Sequence, residues 1–221
     1  MNRALIIGAS GGIGLATTKA LRARNVEVTG LSRSIDGFDL TNEDTIARAL
    51  GVLEGPFDLI FVATGALRIG GAEPEKSLDA VTAEALAQQY AVNGIGPLLV
   101  LKHARHLLPR DSRAVFAVLS ARVGSIGDNR MGGWYGYRAA KAGVNQLIHG
   151  ASIELARKYR HLCCVCLHPG TVRTRFTEGY QDRHPTVTAD EAAQRLLAVI
   201  DGMTPEQTGQ FLDYAGRQIP W

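Results

Sequence analysis

Short apolar runs alternate along the chain with segments in which apolar residues recur at helical spacing. The apolar runs predict strands over residues 3–8, 26–31, 57–64, 113–120, 162–168 and 209–214. The helical spacing predicts helices over residues 13–25, 83–108, 134–159 and 189–202. Because strands and helices alternate from one end to the other, the pattern predicts one α/β domain over residues 1–221.

The predicted strands are apolar throughout instead of alternating with polar residues. Such strands are typical of a parallel sheet that is covered on both faces. The pattern therefore predicts a doubly wound (Rossmann) fold, with a mostly parallel sheet and helices on both sides. A chain of 221 residues is long enough for one sizeable hydrophobic core and too short for two.

Composition and charge exclude several classes of protein. The chain is 46% apolar and 20% charged, and its net charge of +3 comes from basic residues scattered along it. A nucleic-acid partner is not expected, because such proteins cluster their basic residues. The chain has no apolar run long enough to span a bilayer, and the apolar stretch near the N-terminus is too short for a signal peptide. A cytoplasmic protein without a membrane partner is expected.

Three cysteines, Cys163, Cys164 and Cys166, lie within one apolar run. A structural metal site needs four ligands in a spread geometry, and the sequence offers no further ligands close by. We interpret the run as a buried strand in which cysteine serves as a small hydrophobic residue. No metal is predicted.

A glycine-rich turn joins the first predicted strand to the first predicted helix. Glycines allow a phosphate to approach the N–H groups of a helix N-terminus, where the helix dipole attracts an anion. The strand before and the helix after this turn favour a dinucleotide over a plain tight turn. A loop for S-adenosylmethionine is the main alternative at this point. The predicted binding positions are Gly8, Ser10, Gly12, Ile13 and Gly14.

The end of the second predicted strand indicates which dinucleotide is bound. NAD-binding proteins usually place an acid there for the ribose hydroxyls, but this chain has Ser32 and Arg33. An arginine binds a 2′-phosphate with paired hydrogen bonds, and a carboxylate would repel it. NADP is therefore predicted in preference to NAD, although the nearby acid Asp36 would favour NAD. Arg33 as a solvated surface residue is the alternative.

Tyr137 and Lys141 are four residues apart in a predicted helix, so they share one face. Tyr135 does not have this spacing. A nearby ammonium favours the phenolate, and lowering a tyrosine pKa by ~3 units requires ~4 kcal/mol of differential stabilisation. Such a tyrosine can give a proton to a carbonyl oxygen as hydride arrives. Tyr-x-x-x-Lys alone is common, and a solvated lysine is the alternative.

Several motifs in one order resemble the short-chain dehydrogenase/reductase family over essentially the whole chain. They are the glycine turn, "VNGIG", the serine that ends "FAVLS", "YRAAK" and "HPGTVRT". The phrases "GGWYGYRAAKAG" and "LHPGTVRT" and the ending "IPW" resemble the branch that contains C-factor-like and sniffer-type carbonyl reductases.

The resemblance implies roles for individual residues. Tyr137 would be the general acid/base, Lys141 would lower its pKa and hold the nicotinamide ribose, and Asn93 would support a proton-relaying water. A helix-capping role for Asn93 and a simple turn at residues 169–170 are the alternatives. The implied cofactor-binding positions are Asp39 and Leu40 at the adenine, Ala63, Thr64 and Gly65 at the end of the third predicted strand, and Pro169, Gly170, Val172 and Thr174 at the nicotinamide.

The chain departs from the family pattern at two places. The family usually has Asn-Asn-Ala-Gly where residues 63–66 are Ala-Thr-Gly-Ala, so the asparagine side chains are lost and cofactor affinity is expected to change. The second serine of the family's Ser-Ser-x-x-Gly is replaced by Ala121, and Ser120 precedes it. Neighbouring strand residues point to opposite faces. We predict Ser120 as the catalytic serine if the strand end is bulged or twisted, with Ser125 as the fallback.

The segment after "HPGTVRT" predicts the kind of substrate. It is short and polar, with Arg175, Arg183 and His184, and it has few large apolar residues. Phe176 and Tyr180 would pack over a ring or hold this segment closed. A small carbonyl or alcohol is therefore expected in preference to a long apolar ligand such as a steroid.

The last predictions from the sequence concern the assembly of the protein and its activity. The predicted helices 83–108 and 134–159 carry more apolar positions than one core face needs, which predicts a homodimer or homotetramer. An NADP-dependent oxidoreductase is the first hypothesis for function. The second is a dinucleotide-binding sensor with little catalysis, favoured by the displaced serine and the lost asparagines. A methyltransferase gives no role to the Tyr–Lys pair.

Overall fold

Six parallel strands form one sheet in the computed structural model, which describes residues 1–179 and 186–221. Their spatial order is β2-β1-β3-β4-β5-β6, and each pairing is parallel. The predicted doubly wound fold is confirmed, and the sheet is parallel throughout. The strands are β1 Arg3–Ile7, β2 Glu27–Leu31, β3 Leu59–Val62, β4 Ala114–Leu119, β5 Leu162–His168 and β6 Phe211–Asp213.

Within the described residues, seven α-helices connect these strands, and two of them were not predicted from the sequence. The unpredicted helices are α2, a single turn, and α3. Helix α3 begins at a clear cap, since the side chain of Asn42 accepts a hydrogen bond from Asp44 N at 3.1 Å. The helices are α1 Gly12–Arg22, α2 Arg33–Asp36, α3 Glu43–Gly51, α4 Ala83–Tyr90, α5 Gly96–Ala104, α6 Tyr135–Ala156 and α7 Ala189–Asp201.

The single helix predicted over residues 83–108 is divided in the structure. A π-helical turn, Ala91–Ile95, separates α4 from α5, and a 3-10 turn, Arg105–Leu107, ends the segment. Wide turns of this kind inside a helix occur frequently at functional sites. Asn93 lies in the middle of the π turn.

Alternate residues of each strand face the two helical layers. On one side, Ile6 and Phe61 belong to the core that includes Leu196 of α7. On the other, Leu5 and Ile60 belong to the core beneath α3, α5 and α6. The three cysteines of β5 are buried and free, which confirms the interpretation of this run as a core strand. Among the described residues, no helix has the length and apolar character needed to cross a bilayer.

The sheet order reverses direction between β1 and β3. The chain moves outward from β1 to β2 and then returns to place β3 on the opposite side of β1. In open α/β sheets, the crevice at such a switch point, outside the carboxyl ends of the strands, is where ligands bind. The residues that leave these two strand ends are Gly8 and Ala63, and Ala63 N donates to Ile7 O at 2.8 Å.

Candidate active site

The glycine turn after β1 is held by contacts that leave no room for side chains. Gly8 has a φ of +87°, and a Cβ placed there would lie 2.9 Å from the carbonyl oxygen of Ala63. A Cβ at Gly14 would overlap the carbonyl oxygen of Gly8. Helix α1 begins at Gly12 with neither a side-chain cap nor an acid in its first turn. Its first N–H groups therefore have no side-chain acceptor of their own, and phosphate binding there stays a prediction.

The predicted nicotinamide end lies directly beside this turn. A Cβ at Gly12 would come within 2.5 Å of Thr174 Cγ2, so the segment that follows β5 packs onto the start of α1. Gly170 has a φ of +80° and packs against the ring of Tyr214. Val172 is buried. The structure thus brings the two predicted ends of the binding cleft together, although they are about 160 residues apart in the chain.

The predicted adenosine end is built from β2 and the short helix α2. Ser32 is buried, and Arg33 is the exposed first residue of α2. The carboxylate of Asp36 accepts hydrogen bonds from Ser32 N at 2.7 Å and from Ser32 Oγ at 3.3 Å. The hydroxyl of Ser34 donates to that of Ser10 at 3.1 Å, which ties α2 to the glycine turn. An arginine and a carboxylate therefore both lie at the end of β2, where the sequence predicts the adenosine end of the cofactor.

Asp39 and Leu40 lie at the entrance to α3. Asp39 Oδ1 accepts hydrogen bonds from Thr41 N at 2.9 Å and Thr41 Oγ1 at 2.8 Å. The hydrogen bonds from Thr41, the backbone one first, hold the pKa of Asp39 below its usual value. Leu40 is buried, and a Cβ at Gly96 would lie 2.8 Å from its Cβ. These residues fix the turn against α5.

Tyr137 and Lys141 lie on one face of α6 and are both buried, with exposures of 5% and 2%. Lys141 Nζ lies 5.8 Å from the centroid of the Tyr137 ring and donates to Leu119 O at 2.8 Å. The ammonium therefore lies between the phenol and the carboxyl end of β4. The predicted spacing on one helical face is present in the structure.

Burial governs the pKa values of this pair. Desolvation lowers the pKa of Lys141 to about 8 and raises the pKa of Tyr137 above its usual value. The direction for Tyr137 is opposite to the lowering expected from the sequence. Desolvation of the phenolate dominates here, because the ammonium lies beside the ring and its charge is directed at a backbone carbonyl.

Asn93 is fully buried and connects the π turn to the loop that follows β3. Its Oδ1 accepts from Ala66 N at 3.0 Å, and its Nδ2 donates to Ala66 O at 2.8 Å and to Gln89 Oε1 at 2.7 Å. A Cβ at Gly65 would lie 3.0 Å from Asn93 Oδ1 and 3.6 Å from Lys141 Nζ. Asn93 and Lys141 therefore border the same glycine of the cleft.

Gln89 was not singled out from the sequence. It is buried, and its Nε2 donates to Leu67 O at 2.8 Å while its Oε1 accepts from Asn93. The signal that would have found it is its position one helical turn before Asn93. The two amides together hold the loop at residues 63–67, whose own asparagines are absent, against the π turn.

The two serines considered from the sequence are engaged in internal hydrogen bonds. Ser120 is buried, and its hydroxyl donates to Asn145 Oδ1 at 2.7 Å. Ser120 N donates to Leu167 O at 2.8 Å, so the backbone pairing with β5 continues one residue beyond β4. The hydroxyl of Ser125 donates to Pro220 O in the C-terminal segment. Asn145 was missed, although it follows Lys141 by one helical turn.

Two aromatic rings flank the phenol of Tyr137. Phe176 lies 5.9 Å from it between centroids, and Trp134 lies 6.3 Å away in an edge-on orientation. The ring of Phe176 also approaches Gly65, with Cε2 3.8 Å from a Cβ placed there. Phe176 thus places the segment after β5 beside Tyr137 and Gly65. Tyr180, Arg183 and His184, also considered from the sequence, lie outside the described residues.

A parallel doubly wound sheet, a glycine turn at its switch point and a buried Tyr–Lys helix define a class of dinucleotide-dependent oxidoreductases. The family model described as enoyl-(acyl carrier protein) reductase matches residues 37–211. The chain belongs to the short-chain dehydrogenase/reductase family, within which that model falls.

Curated relatives cover most or all of the chain. It is 28% identical over 236 aligned positions, which span all of both proteins, to 1-hydroxy-2-glutathionyl-2-methyl-3-butene dehydrogenase of Rhodococcus sp. strain AD45. It is 33% identical to C-signal of Myxococcus xanthus over 79% of this chain and 99% of that protein.

Solved structures of carbonyl reductases share the fold. Carbonyl reductase Sniffer of D. melanogaster superimposes with a TM-score of 0.82 at 22% identity, with full coverage of both chains. An NADPH-bound carbonyl reductase from chicken fatty liver gives a TM-score of 0.84 at 21% identity, covering 100% of this chain and 94% of that one.

Proposed function

We propose that this protein is an NADP-dependent reductase or dehydrogenase of a small carbonyl or alcohol, with Tyr137 as the general acid/base. One observation carries the proposal. Tyr137 and Lys141 are buried on one face of α6 and border the same cleft as Asn93 and the glycine turn. A protein that only binds a dinucleotide has no need for a proton donor at that place.

Each residue of the cleft has a role in this proposal. The N–H groups at the start of α1 bind the pyrophosphate, and Thr174 borders the nicotinamide, which supplies or accepts the hydride when bound. Tyr137 holds the proton at its phenol oxygen and delivers it to the substrate oxygen. Lys141 binds the ribose, and Asn93 keeps the loop after β3 in place for a proton-relaying water.

The preference for NADP is supported by Arg33, which is exposed at the end of β2. Its guanidinium can form paired hydrogen bonds with a 2′-phosphate. Two structural neighbours bind the same cofactor: the chicken reductase is NADPH-bound, and a short-chain dehydrogenase/reductase of Burkholderia multivorans has bound NADP. Asp36, bonded to Ser32, is the feature that would favour NAD.

A small substrate is supported by the flanking rings of Trp134 and Phe176, which narrow the cleft around the phenol of Tyr137. A compact ring or a short-chain carbonyl fits between two aromatic side chains better than an extended lipid does. Strong selectivity for bulky lipophilic ketones over small aldehydes and diketones would contradict this part of the proposal.

A second candidate function is a dinucleotide-binding sensor with little catalysis. The specific observation in its favour is that the hydroxyl of Ser120 donates to Asn145 while position 121 is alanine. The relative from Myxococcus xanthus is named C-signal, which is consistent with signalling by a protein of this family. A measurement of turnover distinguishes the two functions, because the sensor is expected to show little of it.

The test combines binding and turnover. We expect fluorescence titration to give tighter binding of NADPH than of NADH, and a panel of small carbonyl compounds to reveal turnover. Tyr137→Phe is expected to lose at least about 100-fold in kcat while keeping NADPH affinity, because it removes only the proton donor. Tight NADPH binding without turnover that depends on Tyr137 would support the sensor instead.

A homodimer or homotetramer and a cytoplasmic location are parts of the same proposal. The exposed isoleucines are Ile95, the last residue of the π turn, and Ile153, near the end of α6. Both lie in the two segments that the sequence predicted to have excess apolar positions. Burial of these side chains would be favourable at an interface between copies.

A further inference from the structure

Glu75 is a buried carboxylate in the segment between β3 and α4, with an exposure of 7%. Its Oε2 accepts a hydrogen bond from Gly136 N at 3.2 Å, and its main-chain oxygen accepts one from Trp134 N. Both donors belong to the beginning of α6, about 60 residues further along the chain. The segment at Glu75 therefore closes the N-terminus of the helix that carries Tyr137 and Lys141.

Helix α6 has no N-terminal cap from its own residues. The residue at the cap position is Trp134, in a left-handed conformation with a φ of +51°, and no side-chain cap or acid is present in the first turn. The first N–H groups of a helix have no partners within the helix. A capping acceptor satisfies one of them, and a negative charge is favourable beside the positive end of the helix dipole. Glu75 supplies both from a distant segment.

Gly136 provides the space for this contact. A Cβ at this position would lie 2.9 Å from Glu75 Oε1 and 3.1 Å from Gln89 Cγ. The backbone φ of Gly136 is not in the left-handed region, so conformational freedom does not explain the glycine. Close approach of Glu75 and Gln89 does explain it.

Tyr137 follows Gly136 directly and is the third residue of α6. Where its phenol lies depends on whether the first turn of the helix is formed. A displacement of about 1 Å at a reacting group can cost on the order of 100-fold in rate. An unformed first turn would therefore impair proton transfer while leaving most of the cofactor contacts intact.

We propose that Glu75 is a positioning residue: it caps the catalytic helix from outside and thereby fixes the phenol of Tyr137. This inference rests on the proposed function, in which Tyr137 carries the proton. It assigns no contact between Glu75 and the substrate or cofactor.

The primary test compares Glu75→Ala with Glu75→Gln. Alanine removes the acceptor, and we expect kcat to fall about 10-fold while KM for NADPH stays within about 2-fold, since the cofactor is held elsewhere. Glutamine keeps an acceptor oxygen at the same place, and we expect its kcat to lie within about 3-fold of wild type. A loss that appears mainly in KM for NADPH, or that glutamine does not rescue, would overturn the inference.

Asp79→Ala is the matched control. Asp79 is an exposed carboxylate in the same segment, so this variant removes the same charge without touching α6. Its kcat is expected to equal that of wild type. Equal kcat values for Glu75→Ala and Asp79→Ala would show that the helix does not need the cap.

A second pair of variants approaches the contact from α6 and covers the case in which Glu75→Ala does not fold. Gly136→Ala pushes a methyl group against Glu75, whereas Gly150→Ala adds one to the same helix in open space. Alanine is the better helix former, so Gly150→Ala should raise Tm and keep kcat. Gly136→Ala should lower kcat about 10-fold. Wild-type kcat in Gly136→Ala would contradict the proposed role.

Amide hydrogen exchange separates a failure of this inference from a failure of the proposed function. In the ligand-free protein, we expect exchange at residues 135–138 to be faster in Glu75→Ala than in Asp79→Ala. If wild type shows no turnover that depends on Tyr137, the proposed function fails, but faster exchange still demonstrates the cap. Equal exchange in the two variants refutes the cap whatever the activity.

Discussion

Lys141 carries its ammonium into the interior of the protein, where it donates to Leu119 O at 2.8 Å. Burial lowers its pKa from 10.5 to about 8. This shift means that the charged form is less favourable in the folded protein than in the unfolded chain. The buried cation beside Tyr137 therefore lowers the unfolding free energy of the ligand-free protein. Functional sites often carry such a cost.

The pKa shift of Lys141 predicts how stability depends on pH. Between pH 8 and 10.5 the unfolded chain binds the proton and the folded protein does not, so this group makes stability rise with pH in that range. Lys141→Met lacks the effect. The stability advantage of the methionine variant should be largest at pH 8 or below and shrink by on the order of 3 kcal/mol as pH approaches 10.5.

Urea unfolding of both proteins at several pH values measures this difference. Because the charge of Lys141 also lowers the pKa of Cys166, both proteins are compared in a Cys166→Ala background. A difference in unfolding free energy between Lys141→Met and wild type that stays constant from pH 7 to 10.5 would show that Lys141 is not desolvated.

The serine position gives a second prediction at the scale of single residues. Ser120 is hydrogen-bonded to Asn145, and Ala121 stands where the family usually has its second serine. We expect Ala121→Ser to raise kcat/KM for carbonyl reduction by about 10-fold, because it supplies a donor for the substrate oxygen. Ser120→Ala is expected to change kcat/KM by less than about 3-fold, since its hydroxyl is already engaged.

Steady-state kinetics of the two variants decide between the serines. A large loss of kcat/KM in Ser120→Ala would instead support the original prediction that Ser120 is catalytic. The double variant Ser120→Ala/Ala121→Ser is the control for effects on packing between β4 and α6.

At the scale of elements, the link between β1 and α1 is the most tightly constrained. Gly8 and Gly14 are within contact distance of each other's backbone, and Gly8 also approaches Ala63 at the end of β3. Two strand ends and a helix start therefore converge on one turn. The same close packing that positions the N–H groups of α1 excludes any larger residue from it.

Gly14→Ala tests this constraint. The added methyl group would overlap the carbonyl oxygen of Gly8, so we expect a loss of about 1–3 kcal/mol in unfolding free energy. NADPH affinity should fall at least about 10-fold, because α1 must shift away from the phosphate-binding turn.

Gly51→Ala at the end of α3 is the control, since its methyl group would lie in open space. Urea unfolding and fluorescence titration measure the two quantities. Unchanged affinity in Gly14→Ala would separate the glycine turn from cofactor binding.

At the scale of the whole molecule, the segments that form the predicted cleft all lie at one edge of the sheet. Because all six strands are parallel, their carboxyl ends lie at the same edge, and the switch point between β1 and β3 opens a crevice there. The glycine turn, the loop after β3 and the segment after β5 all leave from this edge. The helices α5 and α6 cover one face of the sheet beside it.

Assembly is the prediction that belongs to this scale. We expect sedimentation to show a homodimer or homotetramer, and Ile153→Glu to shift it towards the monomer by placing a charge in an apolar interface. Val52→Glu is the control, because Val52 is also exposed apolar surface and lies beyond the end of α3. A monomeric wild type at micromolar concentration would contradict the predicted assembly.

The pattern of apolar residues predicted the six strands and the main helices because each buries a regular stripe or run, a property local to the chain. Helix α3 was missed because it is short, although the Asn42 cap preceded it. The break at residues 91–95 was missed because the chain stays helical through a π turn, so the sequence pattern still resembles one long helix. The motifs around Gly8 and Tyr137 were found because their spacing is fixed by the turn and by the helix.

The sequence by itself determined the doubly wound fold, the glycine turn and the Tyr137–Lys141 face, since spacing along the chain encodes each of them. The tertiary structure alone decided which groups surround them. Burial set the pKa directions of Tyr137 and Lys141, Asn145 engaged Ser120, and Glu75 capped α6 from a distant segment. Desolvation and hydrogen bonding between remote segments depend on distances in space, which the order of residues does not contain.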